Sequence, residues 1–237
     1  MKRQLKLLYL YPYEMNTYGD WGNVQVLIRR AEARGIGLTV IEHRPGDKLP
    51  RTIDGLFMGG GQDSGQSLIM QDFHKIGDTL TEWVENDLAV LTICGGYQLF
   101  GKAFHLQDGR VLEGIGAFDA ETFATDGRLI GNIKVKSGDF GEILGFENHS
   151  GRTVLGPTAQ PLGRVLLGAG NNGKDKTEGC LYRRAIGTYM HGPLLPKNPA
   201  IADWLLAAMM GISSTELVQL DDQFVESARK YAGRRPR

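Results

Sequence analysis

Apolar positions along the first hundred residues alternate between two rhythms. Residues 5–11 form a nearly continuous apolar run stopped by Pro12, the pattern of a buried strand. Over 23–34, Val24, Leu27, Ile28 and Ala31 recur at helical spacing, with Asp20 or Asn23 available as an N-cap and Gly35 following. Residues 38–42 and 53–58 predict further strands, the second running straight into Gly59-Gly60-Gly61. Leu68, Ile69, Phe73, Ile76, Leu80 and Val84 mark a long helix over 66–86, and 89–93 is a fourth buried strand that ends at Cys94-Gly95-Gly96. Strands alternating with helices predict an α/β fold: a mainly parallel sheet with helices on both faces. Ligands of such sheets sit beyond the carboxyl ends of the strands, where the triple glycine and Cys94 both fall.

Past residue 105 the texture changes to short strands between Gly, Asp and Asn turns, at 111–117, 129–136, 142–147, 164–167 and 186–190. These predict an antiparallel extension of the same sheet. A helix follows over 200–210, then a stripe of Leu217, Leu220, Phe224 and Ala228 on a C-terminal helix, and a frayed tail at 234–237. No Pro/Ser-rich linker and no internal repeat interrupts the chain. The expected organisation is one unit, residues 1–210, with 211–237 belonging to it.

Composition narrows the class. The 237 residues are 41% hydrophobic and 23% charged, which excludes a wholly disordered chain. Lys+Arg and Asp+Glu both number 27, so no basic excess recommends nucleic acid as a partner. Two cysteines cannot staple a domain of this size, which fits a reducing compartment. The N-terminal apolar stretch is too short to span a bilayer and lacks a small-residue cleavage site, so a cytoplasmic protein without stable membrane insertion is expected.

Candidate chemistry centres on Ile93-Cys94-Gly95-Gly96-Tyr97-Gln98. A cysteine between a buried strand and a helix start sits on a sharp turn, and the glycines permit that backbone and leave room for a substrate. The helix N-terminus favours the thiolate. A small buried cysteine ending a strand fits the same residues. A nucleophile needs a base, and His149 and His191, each beside a predicted strand, serve equally well; His43, His74 and His105 lie in turn-like or helical settings. Backbone N–H groups at Gly60 and Gly95 are the expected oxyanion donors. Gly168-Ala169-Gly170-Asn171-Asn172-Gly173-Lys174 has phosphate-loop spacing, but Asp175 stands where Ser or Thr should hold magnesium, so it reads as a hairpin loop. Cys180 has no metal-ligand spacing to Cys94; it reads as structural, with no metal site.

Three motifs then fall in order. Cys94-x-Gly96-x-Gln98 resembles the nucleophile elbow of class I (triad-type) glutamine amidotransferases. Gly145-Phe146-Glu147-x-His149-x-Gly151 resembles a motif of the branch containing the cobyric and cobyrinic acid synthases, and Gly187-Thr188-Tyr189-x-His191-Gly192 resembles the catalytic-histidine motif. Further segments, Tyr18-x-Asp20-x-Gly22-Asn23, Gly59-Gly60-Gly61-x-Asp63 and Gly170-Asn171-Asn172 among them, are similar to the glutaminase subunits of bacterial lipid II isoglutaminyl synthases, the GatD type. The resemblance implies a flavodoxin-like glutaminase fold, Cys94 as nucleophile, His191 as its base, and Arg128 and Gln98 as residues that bind L-glutamine. It implies a Mur-ligase-like (MurT-type) partner carrying ATP and magnesium, with no cofactor in this chain. A glutaminase for another acceptor, such as a corrinoid precursor, and a non-catalytic binding subunit are the alternatives. One departure stands out: many relatives carry His-x-Glu, and here Pro193 replaces the Glu that orients the histidine. Another carboxylate of the chain, or one from a partner, must fill that role, and a chain lacking it would be a weak glutaminase alone.

Overall fold

The computed structural model describes residues 4–236, with Asp63 and Ser64 described in their backbone alone. Met1 to Arg3, Arg237 and the side chain of the motif residue Asp63 lie outside the described residues. Strand β1 (Gln4–Leu10) lies inside a parallel sheet, between β2 (Gly37–His43) and β3 (Gly55–Met58); β4 (Ala89–Ile93) pairs on the far side of β3. The unbroken apolar run of β1 follows from covering both faces. Leu5, Leu7 and Tyr9 meet Val24 and Leu27 of helix α1 (Trp21–Glu32), whereas Leu8 and Leu10 meet Ile69 and Phe73 of helix α2 (Asp63–Glu85). Side chains that alternate across a strand need apolar residues at every position when both sides are buried. Helix α3 (Gly95–Phe100) starts directly after β4 and packs on the α2 side.

The second half departs from the expected extension of that sheet. Strands β5 (Ala103–His105), β6 (Val111–Glu113), β7 (Ala120–Ser137), β8 (Gly141–Leu155), β9 (Gly163–Leu167) and β10 (Thr177–Glu178) build a second sheet of their own. The long β7–β8 hairpin pairs with itself through a register shift at Ala124/Leu129, so the Gly127 region that reads as a turn is an irregularity inside one strand. Only β11 (Cys180–Tyr182) and β12 (Ala185–Thr188) join the first sheet, β12 parallel to β4 and β11 antiparallel at its edge. The expected strand at 186–190 breaks at Tyr189: β12 ends in the first sheet, and β13 (Met190–His191) pairs with β8 in the second. The chain therefore crosses between sheets immediately before His191.

Two further expectations change. Neither Asp20 nor Asn23 caps α1 with its side chain; Asn16 Oδ1 accepts the Trp21 N–H at 2.8 Å, and Asn23 Oδ1 accepts from Leu195 N–H at 2.8 Å. The C-terminal stripe is not one helical face. Leu217 is buried ahead of helix α5 (Gln223–Ala232), while Phe224 is 90% exposed and Ala228 is exposed too. Helix α5 is instead tied down by polar bonds: Asp222 meets Arg30, and Arg229 donates to Asn198 and the Glu142 carbonyl. The helix expected over 200–210 is α4 (Pro199–Met210), packed beside α1. In the tail, the Pro236 carbonyl accepts from Asn132 at 2.6 Å.

Two buried carboxylates fasten the region of the crossing. Glu147 accepts from Ala169 and Gly170 N–H, each at 2.8 Å, so the loop with phosphate-like spacing serves an internal anion. Glu178 accepts from Thr188 Oγ1 at 2.6 Å and Tyr189 N–H at 2.8 Å, holding the residues at the break between β12 and β13. Burial pushes Glu178 up to about 7; its bonds to Thr188 and Tyr189 oppose this and the Glu147 charge adds to it. A folded-state pKa above the ordinary 4.5 contributes stability that is present below 4.5 and lost as pH rises through about 7. The contribution is on the order of 3 kcal/mol. Glu178→Gln, neutral throughout, is expected to abolish that slope. Relative to wild type it should gain stability between pH 5 and 8 in urea unfolding; a constant difference between the two proteins across that range would refute the assignment.

Candidate active site

Cys94 occupies the turn between β4 and α3 with φ 50° and ψ −103°. A non-glycine residue there is strained, and strain of this kind persists only where neighbours over-determine it. Here the Cys94 N–H donates to the Thr188 carbonyl at 2.8 Å, continuing the β4–β12 pairing. The helix start beyond it packs against the Gly59–Gly61 turn. A Cβ on Gly96 would lie 2.9 Å from the Gly59 and Met58 carbonyls, and one on Gly95 2.9 Å from Gly61 N. The glycines thus let two strand ends touch and leave Cys94 partly buried at their junction.

His191 arrives from the second sheet and is buried, 0% exposed. Its Nδ1 lies 3.4 Å from Asp20 Oδ1, and the other Asp20 oxygen accepts the Gly60 N–H at 2.7 Å. A carboxylate of this chain thus lies beside the imidazole, at the head of α1. Pro193, in the position of the missing Glu, packs instead on Gly22, where a Cβ would come within 2.5 Å of Pro193 Cγ. The Tyr18 ring meets the imidazole edge-on at 5.1 Å. Gly60 has no room for a side chain either: a Cβ would fall 2.7 Å from His191 Cε1 and 3.3 Å from Cys94 Cβ. Burial alone would lower the His191 pKa, but the negative charge of Cys94 and the bond to Asp20 push it up to about 10. With Nδ1 turned to Asp20, Nε2 is the nitrogen left for the sulfur and its substrate.

The two residues open onto a cavity of about 380 Å³, a size at the lower end for small-molecule sites. Arg128, Gln98, Gln66, His149 and Gly61 line it with them. Arg128 sits at the rim, its Nε donating to Asn148 Oδ1 at 2.7 Å and Asn148 in turn donating to Tyr18 OH at 2.7 Å. Gln98 lines the cavity with both ends of its amide engaged: Nε2 donates to Tyr189 OH at 3.2 Å, and Oε1 accepts from Gln66 at 3.1 Å. One expected donor is already engaged. The Gly60 N–H is committed to Asp20 and Gly60 does not line the cavity, whereas Gly61 does, beside Gly95 at the α3 N-terminus. His149, the other candidate base, is buried and flat against Tyr189 at 3.7 Å; burial brings it down to about 3, so it is neutral near pH 7. Cys180 is fully buried, its thiol pushed up to about 12 by burial. Among the described residues, no cluster of three or more His, Cys, Asp or Glu could hold a metal, and no helix is long and apolar enough to cross a membrane.

Residues 6–199 match the model of the CobB/CobQ-like glutamine amidotransferase domain. The chain belongs to that family. It is 42% identical, over 86% of its length and 83% of the relative's, to the lipid II isoglutaminyl synthase (glutamine-hydrolyzing) subunit GatD of Staphylococcus aureus. Identity to the subunit of the same name in Streptococcus pneumoniae is 40%, over 92% of this chain and 85% of that one. A probable cobyric acid synthase of Methanothermobacter thermautotrophicus is 33% identical over 78% of this chain but only 38% of its own. A solved glutamine amidotransferase shares the fold, with TM-score 0.61 and 16% identity over 86% of this chain and 98% of that one. This amidotransferase is a glutamine-hydrolysing enzyme subunit, and its mixed α/β architecture is that of its structural neighbours.

Asp20 was the residue the sequence reading missed as a site component, although its motif was visible. Asp20→Asn keeps the shape and removes the charge that holds the imidazole. The expected loss is about 10²–10⁴-fold in kcat, the scale for a mispositioned base. Because Asp20 raises His191, the alkaline limb of the kcat/KM profile should also move to lower pH. An unchanged limb in a folded Asp20→Asn protein would reduce Asp20 to a packing role.

Proposed function

We propose that this chain is the glutaminase subunit of a lipid II isoglutaminyl synthase. The observation that carries the reading is the convergence of Cys94, His191 and Arg128 on one cavity in a chain that matches two such subunits over most of both lengths. Arg128 grips the α-carboxylate of L-glutamine with its planar fork. The Cys94 thiolate attacks the side-chain amide carbon. The resulting oxyanion takes hydrogen bonds from the N–H groups of Gly61 and Gly95. His191, held by Asp20, gives its Nε2 proton to the departing nitrogen, and ammonia leaves a γ-glutamyl thioester on Cys94. The neutral imidazole then takes a proton from water, which attacks the thioester; glutamate leaves and the thiolate returns.

The ammonia goes to a Mur-ligase-like partner in the cytoplasm. That partner uses ATP and magnesium to activate the D-glutamate α-carboxyl of the lipid II stem peptide, which is aminated to D-isoglutamine. The corrinoid alternative is less favoured, because the cobyric acid synthase match spans little more than a third of that protein. Reconstitution with a Mur-type ligase, ATP, magnesium and lipid II should give glutamine-dependent amidation that Cys94→Ser abolishes and added ammonium restores. Arg128→Ala should lower kcat/KM for glutamine by about 10–10²-fold, with Lys a partial substitute. Glutamine hydrolysis without lipid II amidation would leave the glutaminase and remove the proposed acceptor.

A further inference from the structure

Arg128 lies where the β7–β8 ladder lapses, between Ala124 and Leu129, so the ladder gives it no partner on the opposite strand. Its side chain is exposed and lines both the catalytic cavity and a second cavity of about 440 Å³. Among the described residues it has no carboxylate partner. What holds the guanidinium is one residue of β8: Asn148 Oδ1 accepts from Arg128 Nε at 2.7 Å, and the Asn148 carbonyl accepts from Nη2 at 2.9 Å. Those two N–H groups form one edge of the planar fork, and Asn148 covers that edge at both ends. Two of the five N–H donors of the guanidinium are then used, and the three left sit on the terminal nitrogens Nη1 and Nη2. The Asn148 amide is fixed in its turn. An arginine only donates, so the end that meets it is the oxygen, and the other end, Nδ2, donates to Tyr18 OH at 2.7 Å. The Tyr18 ring meets His191 edge-on, and Tyr18, Asn148 and His191 all line the catalytic cavity.

We propose that Asn148 is a positioning residue: it clamps the Nε edge of Arg128 and thereby presents the end-on Nη1/Nη2 pair to the substrate's carboxylate. The inference rests on the glutaminase reading and on the role given there to Arg128. A long, exposed arginine loses rotamer freedom when it grips a ligand, and a clamp already in place leaves less to lose at that moment. The clamp is also neutral. A carboxylate at position 148 would hold the guanidinium as firmly but would oppose its charge, weakening the attraction for an anionic group. An amide sets the direction of the fork and leaves its full positive charge for the substrate. The bond to Tyr18 OH completes the amide's own hydrogen bonding, so Asn148 is held on both sides. Tyr18 thus touches the rim clamp with its hydroxyl and the imidazole of His191 with its ring.

The test is a double-mutant cycle on steady-state hydrolysis of L-glutamine by the full chain, with any partner it carries from the cell retained. Asn148→Ala should raise KM by about 10-fold and leave kcat within about 3-fold of wild type. In an Arg128→Ala background the same change should alter KM by less than about 2-fold, because the group it positions is gone. Asn148→Asp, nearly the same shape, should raise KM at least as much as Asn148→Ala, whereas a packing role would make it the milder of the two. Tyr18→Phe, which keeps the ring on His191 and removes the hydroxyl, should raise KM by about 2–3-fold at unchanged kcat. Equal losses from Asn148→Ala in both backgrounds, or an Asn148→Asp protein with wild-type KM, would overturn the assignment; if Arg128→Ala still impairs glutamine use, the glutaminase reading stands without it. An Arg128→Ala protein that handles glutamine like wild type would instead remove the role of Arg128, and the inference with it.

Discussion

Everything at the site depends on the close approach of two backbone turns, Gly59–Gly61 after β3 and Cys94–Gly96 after β4. Adjacent parallel strands end side by side, and only residues without a Cβ let their exits touch. That contact holds Cys94 in a left-handed conformation its side chain would otherwise avoid. It also gives His191 the gap over Gly60 into which its ring fits. Asp20 locks the arrangement from the other side, since one carboxylate bonds both the Gly60 N–H and the imidazole. A single buried charge thereby holds the histidine and takes up the Gly60 N–H, while the next residue, Gly61, lines the cavity.

The second constraint is the crossing between sheets. His191 could not reach Cys94 if 186–190 were one straight strand. The break at Tyr189, pinned by Glu178, takes the chain from β12, the neighbour of β4, to β13, the neighbour of β8. The same crossing places Tyr189 beneath His149 and against Gln98. The second sheet therefore supplies His191, the rim arginine and the wall, while the first supplies Cys94 and the glycine turn beside it.

The parallel half was legible in the sequence because strands covered on both faces write themselves as apolar runs, and Gly punctuation marks their ends. The second sheet was less legible. Gly127 and Gly131 interrupt what is a single 18-residue strand, and local residue chemistry cannot distinguish a bulge from a turn. Cys94 was legible from its turn; the choice of His191 over His149 came only with the family motif. Asp20 stayed hidden because locally it reads as a helix cap, and its partners lie 40 and 171 residues away. The commitment of the Gly60 N–H was equally out of reach, since its acceptor is that same distant carboxylate.

In the proposed mechanism Cys94 carries the substrate covalently. Rapid-quench mass spectrometry of the chain during turnover of L-glutamine tests it most directly. A γ-glutamyl adduct is expected on the peptide containing Cys94, formed before ammonia release is complete and absent from Cys94→Ser. An adduct confined to Cys180, or continued glutamate production by a folded Cys94→Ser protein, would contradict it.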